Sequence, residues 1–263
     1  MQVFNTQPGM PPAPPGAPVQ WMQPPPTIPN CPPGLEYLTQ VDRIFIKQKK
    51  SLTEAFTNWE ISNKYVLLNS ANQQVYYAFE ESGCCERQCC GSARGFVMHI
   101  VDNFQREVLT IRRPFKYFTG GSCACCRACS VEAHIETPQG EQLGHVIQKF
   151  GWCSNNFAVV NGDESKEIFN VLGPNLCGCS YNCDICADKV FEIQSTDGQP
   201  VGAIRKKWGG MAREAFTTAD IFHVEFPYDL DVRYKATLLG AAFLIDFMQF
   251  EQKQNNTQNI NID

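Results

Sequence analysis

A chain of 263 residues, 43% hydrophobic and 19% charged, is long enough for one sizeable globular domain or two small ones. Its net charge of −5 argues against wholesale electrostatic binding to nucleic acid, although local basic patches can still act. Residues 1–33 contain no apolar stretch of the kind that forms a secretory signal peptide. We therefore expect a reducing compartment, in which the 14 cysteines do not form a disulfide framework.

The two ends of the chain have the composition of disordered tails. Residues 1–33 contain proline runs at 11–18, 24–26 and 32–33, and such segments favour extended polyproline II over a packed core. PxxP spacings suit SH3 domains, and residues 32–37 resemble a WW-domain ligand; a solvated linker accounts for the composition equally well. We predict disordered tails over residues 1–33 and 252–263, flanking one domain over residues 34–251.

Between the tails, short apolar runs alternate with turn-forming residues in a repeating pattern. Runs rich in Val, Ile, Phe and Tyr flank Asn, Gly and Asp turns, which is typical of β-hairpins. Five such units lie at residues 65–79, 96–111, 131–147, 157–171 and 190–204, and residues 44–61 supply one more, with a helical interlude near 52–56. Six hairpins predict about twelve strands, and a sheet of that size is expected to curl and close.

Three clusters of four cysteines lie between the hairpins. We assign no role to the first, which consists of Cys84, Cys85, Cys89 and Cys90. The second has a basic residue within it, which favours reactive thiols, and consists of Cys123, Cys125, Cys126 and Cys129. The third approximates two ligand pairs of a tetrahedral zinc site and consists of Cys177, Cys179, Cys183 and Cys186. For the second cluster, a purely structural role is the alternative.

A run of three cations, Arg205, Lys206 and Lys207, precedes Trp208. Such a run can contact anionic lipid head groups, and a solvated strand end is the simpler interpretation.

A strongly apolar stretch near the C-terminus can lie in lipid or in protein. Residues 236–250 would form a helix about 22 Å long, whereas a bilayer core is about 30 Å thick. Asp246 also offsets the gain from inserting the large apolar side chains into lipid. A helix that is apolar on nearly all sides is then expected inside protein, which we favour over a single-pass span. Its main apolar side chains are Leu238, Leu239, Phe243, Leu244, Ile245 and Phe247.

The barrel and the helix support each other as predictions. A twelve-stranded barrel leaves more room than its own side chains fill, and a helix over residues 235–250 can fill it. The small residues Gly240, Ala241 and Ala242 would let strands approach the helix closely. We predict a mainly β fold, a closed antiparallel barrel of about twelve strands that encloses a hydrophobic C-terminal α-helix.

Several motifs, in this order and spacing, resemble those of the phospholipid scramblase family over residues 33–251. They are Pro32-Pro33-Gly34-Leu35-Glu36-Tyr37-Leu38, Cys89-Cys90-Gly91, Arg213-Glu214-Ala215-Phe216-Thr217, Phe226-Pro227-Tyr228-Asp229-Leu230-Asp231-Val232 and Phe243-Leu244-Ile245-Asp246-Phe247. The resemblance implies a tubby-like barrel around a hydrophobic C-terminal helix. It also implies calcium-stimulated, ATP-independent movement of phospholipids between leaflets, and reversible palmitoylation as the route to membranes.

The resemblance further suggests roles for individual residues. The acidic run matches the family's proposed calcium segment through Asp220, Glu225, Asp229 and Asp231. As an isolated site it should bind calcium weakly, because it lacks the glycine and the closing glutamate of an EF-hand; an acidic loop that covers the barrel end is the alternative. The second cysteine cluster resembles the acylated run, and residues 204–208 resemble a nuclear-import segment.

Three functions follow as hypotheses. The first is a lipid scramblase at phospholipid membranes. Because one short helix gives a lipid head group no polar path across the bilayer, this function would need self-association, local bilayer thinning or exit of the helix from the barrel. The second is an adaptor that palmitate holds on the cytoplasmic face of the plasma membrane, with SH3 or WW partners. The third is a nuclear role of the unacylated protein. No constellation for covalent catalysis is present, so we do not expect an enzyme.

Overall fold

The computed structural model describes eight stretches of the chain. They are residues 20–49, 61–81, 94–116, 129–151, 154–162, 166–174, 189–207 and 221–249.

Twelve antiparallel strands form a closed barrel. Each strand pairs with its neighbours in the sequence, and β1 pairs with β12 to close the ring. The predicted fold class is therefore confirmed. The strands are β1 (Arg43–Lys49), β2 (Ile61–Leu68), β3 (Gln74–Glu81), β4 (Phe96–Val101), β5 (Glu107–Arg113), β6 (Glu132–Glu136), β7 (Gln142–Lys149), β8 (Asn156–Asn161), β9 (Glu167–Leu172), β10 (Lys189–Ser195), β11 (Pro200–Lys207) and β12 (Ile221–Glu225).

Five of the six predicted hairpins are present as predicted, and the sixth needs correction. The described part of residues 44–61 supplies β1, and Ile61 begins β2, which opens the next hairpin. Residues 50–60, including the predicted helical interlude, lie outside the described residues. The twelfth strand is β12, in the acidic stretch that we interpreted as a calcium segment. Side chains alternate along this strand: Phe222 and Val224 belong to the core, whereas His223, which is also buried, contacts the half-buried Glu225.

One α-helix, α1 (Val232–Gln249), fills the barrel. The six apolar side chains predicted for it, from Leu238 to Phe247, are each at most 2% exposed, so the prediction of burial in protein is confirmed. The helix begins three residues before the predicted residue 235. At Gly240 a Cβ atom would lie 2.5 Å from Cγ1 of Ile135 on β6, so this glycine permits the close approach of helix and strand.

The segment before β1 packs against the barrel. Backbone hydrogen bonds join Gln20 and Met22 to Gln74 on β3, and Met22 is buried in the core. A 3₁₀ helix (Glu36–Gln40) follows and buries Tyr37 and Leu38. Contacts with the domain therefore reach upstream of the boundary predicted at residue 33.

Candidate functional site

A buried lysine holds the first turn of α1. Lys235 has no exposed surface, and its ammonium donates hydrogen bonds to the backbone carbonyls of Leu38 (2.9 Å), Val41 (2.8 Å) and Tyr228 (2.7 Å). The rings of Phe226 and Tyr228 lie 5.1 and 5.6 Å away. Burial lowers the pKa of Lys235 to about 8, although Asp42 and Asp229 oppose this change.

This lysine joins the start of α1 to a segment that lies 197 residues away in the sequence. The carbonyls of Leu38 and Val41 belong to the end of the 3₁₀ helix, and that of Tyr228 belongs to the loop before α1. Sequence reasoning missed Lys235, because a cation beside an apolar stretch ordinarily points to solvent. The three acceptors replace the water that a buried ammonium loses.

The other end of the helix has an ionic contact with the barrel wall. Nζ of Lys206 on β11 lies 3.8 Å from Oδ1 of Asp246 and 4.8 Å from the centre of the Phe222 ring. The hydroxyl of Tyr65 is 3.4 Å from Oδ2 of Asp246. The single acidic residue of the apolar helix therefore faces a cation inside the protein, which explains why a charge is tolerated there.

A second buried ion pair lies beside this contact. Glu80 on β3 pairs with Arg94, and both side chains are almost fully buried. The guanidinium of Arg94 lies 5.1 Å from the centre of the Phe247 ring on α1. The helix thus has polar contacts with the barrel at both ends and apolar contacts between them.

The structure describes three of the four acidic residues predicted to bind calcium. Asp220 lies outside the described residues. Glu225 on β12 pairs with Arg43 (3.0 Å), Arg205 (3.5 Å) and Nε2 of His223 (3.3 Å). Its carboxylate is therefore engaged by cations.

Asp229 and Asp231 lie in the loop that leads into α1, and both are exposed. Asp231 accepts a hydrogen bond from the backbone amide of Arg233 at 2.8 Å, which is the geometry of a helix N-cap. Within the described stretches, no three His, Cys, Asp or Glu residues lie close enough to hold a metal ion. The three described carboxylates therefore do not form a ligand cluster by themselves, and calcium binding at this acidic run stays a prediction.

The predicted basic run does not form one surface. Arg205 faces outward to Glu225, whereas Lys206 is 4% exposed and faces the helix. The side chain of Lys207 lies outside the described residues. Adjacent residues of a strand point to opposite faces, so the run divides between the core and the surface.

Only one of the cysteines predicted to be acylated or to bind zinc is described. Cys129, next to the start of β6, is buried at 9% exposure, which is a poor position for acylation. Cys123, Cys125, Cys126 and the zinc candidates Cys177, Cys179, Cys183 and Cys186 lie outside the described residues. Cys31, in the N-terminal segment, has its pKa raised to about 11 by burial and by Glu36, so its thiol stays protonated at neutral pH.

A histidine on the barrel surface joins three strands. Nδ1 of His99 on β4 lies 2.6 Å from Glu107 on β5, and its Nε2 lies 2.9 Å from Glu81 on β3. Burial disfavours the charged ring, but the bonds to both carboxylates outweigh it, and the pKa of His99 is raised. Sequence reasoning missed His99, because the sequence alone does not bring the two glutamates together.

No helix in the described part of the chain has the length and apolar character needed to cross a membrane.

Comparisons with known proteins agree over nearly the whole chain. The family model described as "Scramblase" matches residues 22–252. The chain is 45% identical over 247 residues to phospholipid scramblase 1 of Rattus norvegicus, with 93% of this chain and 71% of the relative covered. It is 44% identical over 241 residues to phospholipid scramblase 1 of Homo sapiens, with 91% and 73% covered. Human phospholipid scramblase 2 is 43% identical, with 94% and 79% covered. No solved structure gives a significant match.

Proposed function

The chain belongs to the scramblase family, and from this membership we propose that it associates with membranes and moves phospholipids between their leaflets. The observation that carries the proposal is the family match over residues 22–252, together with relatives named phospholipid scramblase. Stimulation by calcium and independence of ATP are part of the proposal and rest on the family resemblance.

The structure constrains how such a protein could act. The barrel is closed, and α1 fills it with side chains that are almost fully buried. A polar head group therefore has no route through the barrel. Lipid movement would depend on the outer surface of the barrel, on several copies acting together, or on local thinning of the bilayer. We assign no step to calcium, because Glu225 and Asp231 already have other partners.

Reconstitution tests this proposal. Purified full-length protein is placed in liposomes with fluorescent phospholipid in both leaflets, and a membrane-impermeant reductant bleaches the outer leaflet. Without ATP, we expect bleaching beyond the outer half, and more with calcium than with chelator. Bleaching that stays at the level of protein-free liposomes, while a known scramblase gives full loss, would contradict the proposal. Equal rates with calcium and chelator would remove the calcium part alone.

A second function is favoured by the enclosed helix: a palmitoylated adaptor. A rigid barrel with a filled interior can serve as a platform, and acyl chains can anchor it without a spanning helix, since stable anchoring takes two or more such signals. The proline-rich tail would recruit SH3 or WW proteins. Residues 204–208 allow a nuclear role when acyl chains are absent.

Acyl-site variants test the membrane anchoring that the adaptor function requires. Replacing Cys123, Cys125 and Cys126 together by Ala should release the adaptor from membranes in cells, with the Cys129→Ala variant as the matched control. Zinc at the third cluster is tested by metal analysis of the native protein, with Cys183→Ser as the comparison. Full membrane retention of the triple variant would contradict anchoring by these cysteines.

A further inference from the structure

The connections of the barrel divide into two groups. In an antiparallel barrel, successive connections alternate between the ends. One end has the turns between β2 and β3, β4 and β5, β6 and β7, β8 and β9, and β10 and β11, together with the loop into α1. The other end has the six remaining connections, five of which exceed ten residues. We call these the short-turn end and the long-connection end.

The two ends carry opposite charge. Each described charged residue except Glu192, which is the middle residue of β10, is assigned to an end by the half of its strand or helix, or by the connection, in which it lies. The long-connection end then has 12 Lys and Arg against 4 Asp and Glu, a net charge of +8. The short-turn end has 5 against 11, a net charge of −6. The parts of the six connections that lie outside the described residues contain 4 basic and 7 acidic residues by sequence. When these residues are included, the net charge of the strand ends and connections in this group is +5.

Part of this positive charge is presented to solvent. Arg112, near the end of β5, is exposed, and Lys49 and Lys189 at strand ends are partly exposed. Lys64 on β2, which pairs with Lys49, is also partly exposed. These four residues lie on β5, β1, β2 and β10, so they are distributed around the rim of the barrel.

Exposed aromatic side chains accompany the cations. Phe115, which follows β5, is 37% exposed, and Phe150, which follows β7, is 42% exposed. The short-turn end also exposes apolar side chains, Phe104 at 58% and Ile28 at 39%. Apolar exposure therefore does not distinguish the ends, whereas the sign of the charge does.

We propose that the long-connection end is the face with which this protein docks on an anionic phospholipid surface, with the short-turn end pointing away. This proposal rests on the proposed function, which supplies the phospholipid membrane as the partner, and it adds which end of the barrel contacts that membrane. Anionic lipids attract basic residues near the membrane surface, and the negative short-turn end is repelled, so the charge distribution orients the barrel. Duplex DNA would also attract the cations, but the exposed phenylalanines on the same rim favour a surface that apolar side chains can enter.

Vesicle binding by charge variants tests the docking face. The full-length protein is purified from a bacterial host, so that no acyl chain contributes, and sedimented with vesicles of phosphatidylcholine with or without phosphatidylserine. The variant Lys49→Gln, Arg112→Gln and Lys189→Gln removes three charges from the rim. Because each basic residue near the surface contributes about fivefold to binding, we expect the partition coefficient to fall about a hundredfold.

A matched control removes the same charge from the opposite end. The variant Arg43→Gln, Arg106→Gln and Lys166→Gln should bind within about fivefold of the wild type, since these residues would face away from the lipid. Equal loss in both variants, or equal binding of the wild type to neutral and anionic vesicles, would overturn the proposal. Binding to duplex DNA without binding to vesicles would overturn it as well.

Hydrogen exchange of the wild-type protein gives a second measurement that does not depend on the folding of variants. Anionic vesicles should slow exchange in residues 112–116 and 147–151 and leave residues 102–106 and 137–141 unchanged. The opposite pattern would overturn the proposed orientation. Scrambling activity is assayed separately, so that the two proposals can fail independently. Scrambling without this docking pattern would reject the proposed docking face and leave the scramblase function. Docking by this face without scrambling would reject the scramblase function and leave the docking face.

Discussion

Replacing Lys235 by Met should destabilise the protein strongly. The substitution keeps an unbranched side chain of similar length, but it removes the donor shared by the carbonyls of Leu38, Val41 and Tyr228. A buried acceptor that loses its partner costs about 1–3 kcal/mol, so three of them cost about 3–9 kcal/mol. Because the variant does not bury an ammonium, it avoids the desolvation penalty of that charge, which offsets part of the loss. We expect a net loss of about 2–4 kcal/mol in the free energy of unfolding.

Urea unfolding followed by tryptophan fluorescence measures this loss. Arg233→Met is the matched control, because it removes a cation from the same helical turn whose ion pair with Glu141 (2.8 Å) lies at the surface. Such surface pairs contribute about 0–1 kcal/mol. If the Lys235 variant unfolds at the same urea concentration as the control, the buried ammonium does not hold the helix in the barrel.

Further predictions concern the helix, a surface histidine and a cysteine. Gly240→Val should lower the free energy of unfolding by about 1–3 kcal/mol through overpacking against Ile135; an unchanged unfolding midpoint would mean that the contact is loose. The raised pKa of His99 means that its stabilising effect is complete below about pH 6.5 and is lost as the pH rises through the folded pKa. The stability difference between wild type and His99→Gln should therefore shrink with rising pH, and a growing difference would contradict the assignment. Acyl-exchange mass spectrometry should find acyl groups among residues 123–126 and none on Cys129, and acylated Cys129 would contradict its burial.

The strand pattern and the helix could be predicted because their signals are local. Alternating apolar residues around Asn, Gly and Asp turns identified five hairpins, and the short apolar stretch interrupted by Asp246 indicated burial in protein. The sixth hairpin was wrong because β1 and β12 pair across the whole length of the domain. Local periodicity carries no information about a partner so far away in the chain.

The polar contacts of the core could not be predicted for a related reason. Lys235, Lys206 and Arg94 are cations that a sequence pattern assigns to solvent. Each is buried because its partners come from elements distant in sequence: backbone carbonyls, Asp246 and Glu80. The charge difference between the barrel ends is hidden in the same way, because basic and acidic residues alternate along the chain and separate only when the strands are placed side by side.

A photocrosslinking amino acid at Phe243 tests the central claim most directly. In the structure this ring packs against Tyr65, with ring centres 5.3 Å apart, and it is 1% exposed. An enclosed helix predicts crosslinks from this position to the barrel strands, both in solution and when the protein is bound to anionic vesicles. Crosslinks to phospholipid acyl chains in the bound state, at the expense of those to the barrel, would show that the helix leaves the barrel for the membrane.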